Sequence, residues 1–404
     1  MRLHRNLVFA VIDGLHQIFN EEKYADKVVQ KLLKRDKRWG SRDRGFVAET
    51  TYEIVRWKRL YTEIAEVKAP FSRENLWRLF AVWATLRGIA LPDWKQIEPT
   101  PQRRIKGKFD ELQRTRKFRE SIPDWLDALG EKELGTLWTE EIAALNEQAP
   151  VILRVNTLQS DLKKVKGLLF DEDILTEAIP GLPNALQLKE RANVFSTEAF
   201  KNGYFEVQDA SSQMVAGYLD VQPGQRVVDT CAGAGGKSLH LAALMENKGQ
   251  IIAMDIYENK LKELKRRAKR AGAHNMETRP IHSNKDIKKL YNKADRVLID
   301  APCSGLGVLR RNPDAKWKMT PEFLIEVKKV QQDILQNYSK MVKDEGNLVY
   351  ATCSILPSEN QEQVKTFLKS EAGSEFTLIK DKKILCSKTG QDGFYMALLK
   401  RKTK

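Results

Sequence analysis

Apolar positions recur along this chain with two different periods. Over residues 1 to about 145 the spacing is helical. Leu7, Val8, Val11, Leu15, Ile18 and Phe19 form one set, and Val28, Val29, Leu32 and Leu33 a second. Phe46, Val47, Tyr52, Ile54, Val55 and Leu60 form a third, and Leu76, Leu79, Phe80, Trp83, Ala84 and Leu86 a fourth. Steps of three and four residues put each set on one helix face, which must be buried against another helix. The pattern therefore predicts an all-α bundle with these residues as its core. Ser41 is the expected N-cap of a helix over 42–61, and Pro99, Thr100 and Pro101 suggest a loop.

The period changes at Pro150–Leu158, a short β-rich run, so a domain boundary is expected near residue 148. Residues 151 to about 205 suggest a small α+β unit: a strand, a helix over Asp161–Phe170, a turn at Pro180-Gly181 and a strand over Leu186–Leu188. Phe205–Ala216 leads into a helix capped by Asp209 or Ser211. Beyond it strands and helices alternate. Strands end at Asp229, Asp255, Asp300 and Thr352-Cys353, and helices cover Glu258–Ala271 and Pro321–Val342. Alternation of this kind predicts an α/β, Rossmann-like parallel sheet, with ligands bound beyond the carboxyl ends of its strands. Three domains are expected, over 1–148, 149–205 and 206–404.

The stretch that organises the third domain is V-V-D-T-C-A-G-A-G-G-K-S-L-H-L-A, from Val227 to Ala242. Gly233, Gly235 and Gly236 permit a tight turn between a strand and a helix N-terminus, where free N–H groups converge on a ligand. The spacing matches neither the dinucleotide fingerprint nor the P-loop. Asp255, one βα unit later, is placed to accept ribose hydroxyls. The run Arg279–Asp286 is the expected place for adenine contacts, with Asn284 as the candidate.

Charge adds a partner. The chain has 404 residues and a net charge of +15, with 42% hydrophobic and 30% charged residues. That composition fits a globular protein with a polyanionic partner, nucleic acid before membrane. Two runs concentrate the charge. Arg103–Arg119 holds eight Lys/Arg against two Asp/Glu, interleaved with Phe109 and Phe118, and Lys260–Arg270 holds seven Lys/Arg. Either can line an RNA track or be a solvated helix face. No run of 18 apolar residues suggests a membrane span. The N-terminus lacks the pattern of a signal peptide. Four cysteines without a C-x-x-C pair suggest no metal and a reducing cytoplasm.

The motifs carry two resemblances. R-N-L-V-F-A-V-I-D-G-L with S-R-D-R-G-F-V-A-E-T-T-Y-E-I-V-R-W, over roughly residues 4 to 60, resembles the NusB family of RNA-binding helical domains. D-T-C-A-G-A-G-G-K, D-A-P-C-S-G (300–305) and A-T-C-S-I-L-P-S-E-N (351–360) resemble the RNA cytosine-C5 methyltransferases of the Sun type. R-V-N-T-L, Q-D-A-S-S-Q, R-R-N-P-D-A-K-W and D-G-F-Y-M-A match that family's other blocks, so the likeness covers about 151 to 401. It implies S-adenosylmethionine at Cys231, Ala232, Gly233, Ala234, Gly235, Gly236 and Lys237. It implies Asp255 on the ribose, and Asp300 beside both methyl donor and target base. It further implies Cys353 as the nucleophile and Cys303 as the group that assists product release. The family usually carries an acidic residue where Asn284 stands here.

That chemistry needs these residue types. C5 of cytosine is too weak a nucleophile until a thiolate adds to C6, and a thiolate needs a favourable local field. Cys303 and Cys353 meet only if their two strand ends are neighbours. Arg310, Arg311 and Lys316 are expected to hold phosphates beside the target base. The resemblance favours 16S rRNA as substrate, and a monomer is expected. The alternatives are a tRNA substrate, another S-adenosylmethionine-dependent enzyme, or a catalytically dormant RNA-binding protein. A different methyltransferase would usually carry N/D-P-P-[YF] where this chain has D-A-P-C.

Overall fold

The computed structural model describes residues 3–97 and 100–403, so Pro99 of the expected loop lies outside the described residues. The chain forms two compact units. One comprises 1–147 with 309–320, and the other 148–308 with 321–404. Among the described residues no helix is long and apolar enough to cross a membrane.

The first unit is helical, with its longest helices over Arg5–Phe19, Ser41–Arg56 and Arg73–Leu86. The helically spaced residues are its core: Val8, Val11, Leu15, Ile54, Leu76 and Phe80 are fully buried. Ser72 caps the Arg73–Leu86 helix, its Oγ accepting the Asn75 N–H at 3.1 Å. Ser41 is not a cap. It is the first residue of its helix, and Asp43 instead reaches back to the Gly40 N–H at 3.1 Å. That helix also breaks at Trp57 and restarts as Lys58–Ala65, so the expected single helix is two.

The basic run 103–119 is largely knitted into this unit. Arg104 and Lys108 pair with Glu66, Arg116 with Asp127 and Glu131, and Lys117 with Asp124. Arg59 covers the Phe118 ring at 4.7 Å, and Phe109 packs on the core. The segment 309–320, expected within the third domain, also packs here. Trp317 Nε1 donates to the Val55 carbonyl at 2.6 Å, and Asp314 accepts the Ala25 N–H at 2.9 Å. The expectation that Arg310, Arg311 and Lys316 grip phosphates is corrected for the two that are buried, Arg310 and Lys316. Lys316 donates to Asn146 Oδ1 at 3.0 Å, and burial pushes its pKa well below that of an ordinary lysine.

The second unit contains two sheets. The smaller comprises β1 (Ile152–Val155), β2 (Thr176–Ile179), β3 (Leu182–Leu188) and β4 (Phe205–Val207), in the antiparallel order β2-β3-β1-β4. A helix, Leu162–Asp171, is capped by Asp161, which accepts the Lys164 N–H at 2.9 Å. Because β4 pairs with β1, residues 205–207 belong to this sheet. The next helix, Ala210–Tyr218, is capped by Asp209.

The larger sheet comprises β5 (Arg226–Asp229), β6 (Gln250–Asp255), β7 (Met276–Pro280), β8 (Ala294–Asp300), β9 (Val342–Thr352), β10 (Phe376–Ile384) and β11 (Phe394–Arg401). Its order is β10-β11-β9-β8-β5-β6-β7. Strands β5 to β9 are parallel, whereas β11 runs antiparallel to both of its neighbours, β9 and the edge strand β10. The expected helix Glu258–Ala271 forms as anticipated, while the next ends at Tyr338 because Val342 begins β9. The chain starts this sheet at β5, builds β6 and β7 on one side and β8 and β9 on the other. The reversal opens a crevice at the carboxyl ends of β5, β6 and β8, the usual ligand position in such sheets.

Candidate active site

The glycine turn leaves β5 at Asp229. Gly233 (φ +54°) and Gly235 (φ +88°) adopt left-handed backbone that other residues resist. A Cβ on Gly235 would lie 2.5 Å from Leu264 Cγ, so the turn packs against the helix that follows β6. Four side chains hold the turn in place. Asp255 Oδ2 accepts the Gly233 N–H at 2.8 Å, and its Oδ1 accepts the Tyr257 N–H at 2.8 Å. Arg267 donates to the Ala234 carbonyl at 2.7 Å, and Arg154, from β1, to the Gly236 carbonyl at 2.6 Å. Lys237 Nζ reaches Asp300 Oδ2 at 2.7 Å, tying the turn to the end of β8. Each carboxylate oxygen of Asp255 keeps a further lone pair, which suits a pair of ligand hydroxyls.

The electrostatics of the corner are set by burial and by these partners. Asp229 is fully buried, and burial pushes its pKa up to about 7 although Ser238 Oγ donates to it at 2.6 Å. Burial also raises the Cys231 thiol. For Lys237 burial works against the charge, but Asp300 outweighs it and holds the pKa above the ordinary lysine value, with Cys353 adding in the same direction. Lys237 therefore stays a cation beside Asp300.

The two cysteines come together. β8 and β9 are parallel neighbours, with Asp300 opposite Ala351, so the loops leaving them run side by side. Cys303 Sγ and Cys353 Sγ lie 3.4 Å apart, and both residues are partly exposed. The hydrogen bond to Cys353 and then burial push the Cys303 pKa well above that of a free thiol. Either thiol can donate to the other, so the two sulfurs are close enough to share one proton.

Asn284 opens a short helix, Asn284–Lys288, beyond β7, where the chain passes Asp255 through the Ile281 N–H to Asp255 carbonyl bond at 3.0 Å. It is exposed, at the same end of the sheet as the other candidates. Three parts of the site carry no role in the sequence pattern. Arg154 and Arg267 come from segments that present only as a strand and as a basic helix face. Glu359, buried behind both cysteine loops, sits within a family motif that assigns it nothing. The doubled Cys-Ser of Cys303-Ser304 and Cys353-Ser354 was the available signal.

Sheet order, glycine turn and acidic strand ends together define a Rossmann-like methyltransferase domain. Residues 216–400 match the family model of the 16S rRNA methyltransferases RsmB/F, and residues 122–195 that of the RsmF/B-like ferredoxin-like domain. The probable ribosomal RNA small subunit methyltransferase B of Synechocystis sp. is 37% identical over 257 residues, covering 62% of this chain and 56% of that protein. The ribosomal RNA small subunit methyltransferase B of Photorhabdus laumondii is 33% identical over 285 residues, covering 69% and 66%. The chain thus spans between about half and two thirds of the length of these curated relatives. The crystal structure of PH0851 superimposes with a TM-score of 0.85 at 24% identity, covering 99% of this chain and 100% of that one, and shares the fold. A methyltransferase homolog from Pyrococcus horikoshii superimposes with a TM-score of 0.63 at 25% identity, covering 72% of this chain and 99% of that one. Residues 216–400 thus form a methyltransferase domain of the RsmB/F type.

Proposed function

We propose that this protein methylates C5 of a cytosine in RNA, with 16S rRNA as the substrate and S-adenosylmethionine as the methyl donor. The observation that carries the reading is the 3.4 Å sulfur pair at the ends of two neighbouring strands, one of which also carries Asp300 of the Lys237 bridge. The glycine turn suits the donor: its backbone can approach a ligand closely, and Asp255 has lone pairs for two ribose hydroxyls. When bound there, the donor supplies an electrophilic methyl group on a sulfonium.

The chain's own residues do the rest. Cys353, as its thiolate, attacks C6 of the cytosine, and the C5–C6 double bond shifts electron density onto C5. Asp300 faces the N3/N4 edge: as a carboxylate it accepts from the N4 amino group and orients the base, and when protonated it donates to N3 and favours that shift. C5 then takes the methyl group. Once Cys353 is bonded to carbon it no longer shares a proton with Cys303. Cys303 then releases its proton to solvent. As a thiolate it accepts the C5 proton, the C5–C6 double bond re-forms, and Cys353 leaves. The base must be unstacked and turned into the pocket for any of this to occur. The protein acts as a monomer in this scheme.

Labelled methyl transfer to a 16S rRNA transcript tests the reading. Cys353→Ala abolishes transfer, and full activity in that variant overturns the mechanism. Cys303→Ala accumulates a denaturant-resistant protein–RNA adduct, because attack proceeds while release does not. Bisulfite sequencing of the transcript reads out the position, and a tRNA transcript methylated in preference would move the substrate assignment. A titration with no S-adenosylmethionine binding would favour a dormant RNA-binding protein instead.

A further inference from the structure

Behind the cysteine pair lies a buried carboxylate that the proposed reaction does not use. Glu359 is fully buried, in the short 3-10 turn Pro357–Glu359 beyond β9, yet it is bonded to both cysteine loops. Its Oε1 accepts the Ser304 N–H at 2.8 Å and the Gln331 side-chain amide at 3.1 Å. Its Oε2 accepts the hydroxyls of both Ser304 and Ser354. Ser304 and Ser354 directly follow Cys303 and Cys353, and their hydroxyls also lie 3.2 Å from each other. Four donors on two oxygens match an ionised carboxylate, which accepts only. Gln331 extends the clamp, donating to the Pro302 carbonyl at 3.0 Å on the other side of Cys303. The Glu359 carbonyl accepts the Tyr350 hydroxyl at 2.8 Å, which fixes its own backbone to β9.

We propose that Glu359 is a positioning residue for the cysteine pair: its carboxylate ties the loop after β8 to the loop after β9 and fixes the separation of the two sulfurs. The inference rests on the proposed cytosine-C5 reaction for its consequence but on the bonds above for its geometry. A bond lost on either serine frees one loop to move relative to the other, and an ångström-scale misplacement is costly for a reaction that depends on near-attack geometry. The negative charge has a second effect. It adds to the forces that raise the Cys303 pKa, after the Cys353 hydrogen bond and burial.

Two readouts on the full-length chain test this. The first is the partition of iodoacetamide alkylation between Cys303 and Cys353 near pH 7.5, read by peptide mass spectrometry; it needs neither RNA nor methyl donor. The second is kcat and KM for labelled methyl transfer to a 16S rRNA transcript. Wild type is expected to be alkylated mainly at Cys353. E359Q is expected to raise the Cys303 share severalfold and to lower kcat at least tenfold with KM within twofold, and E359D to recover part of both. S304A and S354A, each removing one bond, are expected to shift the partition in the same direction by less. A wild-type partition and kcat in E359Q overturn the proposal. If circular dichroism shows E359Q unfolded, S304A and S354A decide, and an unchanged partition in both overturns it. Failure of wild type to methylate RNA removes the proposed function while the alkylation partition still judges the clamp.

Discussion

Asp229 shows how far one side chain can be from its solution behaviour. An aspartate in the unfolded chain ionises near the ordinary carboxylate value, whereas burial holds the folded group protonated up to about 7. Between those two values the folded state keeps a proton that the unfolded state has lost. The favourable contribution is therefore complete below the unfolded value, declines as pH rises, and levels off above about 7. Asp229→Asn keeps an oxygen for the Ser238 hydroxyl and has no charge to bury. Its stability relative to wild type should rise between pH 4 and pH 8 by roughly a few kcal/mol, measured by denaturant melts at each pH. A difference that stays flat across that range would exclude burial as the cause. At this scale residue identity was legible in the sequence, since Cys303, Cys353, Asp255 and Asp300 all stand at strand ends. Their partners were not, because Lys237 meets Asp300 across 63 residues and Arg154 meets Gly236 across 82.

At the scale of elements, legibility followed burial. The strands that were expected, β5, β6, β8 and β9, lie inside the sheet and carry unbroken apolar runs such as Val227-Val228 and Val297–Ile299. β7 and β10 are edge strands of mixed polarity, M-E-T-R-P and F-T-L-I-K-D-K-K-I, and gave no such signal. β11 was legible as a family block and not as a strand, yet it brings Gly393 against the loop of Cys303. The Gly393 N–H donates to the Gly307 carbonyl at 2.8 Å, and the Gly307 N–H to the Cys353 carbonyl at 2.9 Å. A Cβ on Gly307 would stand 2.0 Å from the Gly393 oxygen and 2.9 Å from the Cys353 oxygen. Gly307→Ala must push these segments apart. It is expected to cut methyl transfer at least tenfold while calorimetric affinity for S-adenosylmethionine stays within twofold. Equal loss of both would mean that the substitution disturbs the whole sheet.

Over the whole molecule, charge count was legible but charge placement was not. The +15 net charge remains, but much of the 103–119 run is committed to ion pairs, and Arg267 and Arg270 pair with Glu206. On the helix Glu258–Ala271, Lys262, Lys265 and Arg266 remain exposed. If RNA tracks along it, replacing these three by Gln should lower the slope of log affinity against log salt by about 0.7 to 0.9 for each phosphate no longer neutralised. Filter binding at several salt concentrations measures this, and an unchanged slope would place the RNA elsewhere. The membership of 309–320 in the helical unit has its own consequence for synthesis and for dissection. During translation the helical part is made first, yet the residues that supply Trp317 to Val55 and Asp314 to Ala25 come far later in the message. A fragment stopped at residue 147 would lack part of its own packing, so the first unit is completed only after the ribosome has read through most of the second.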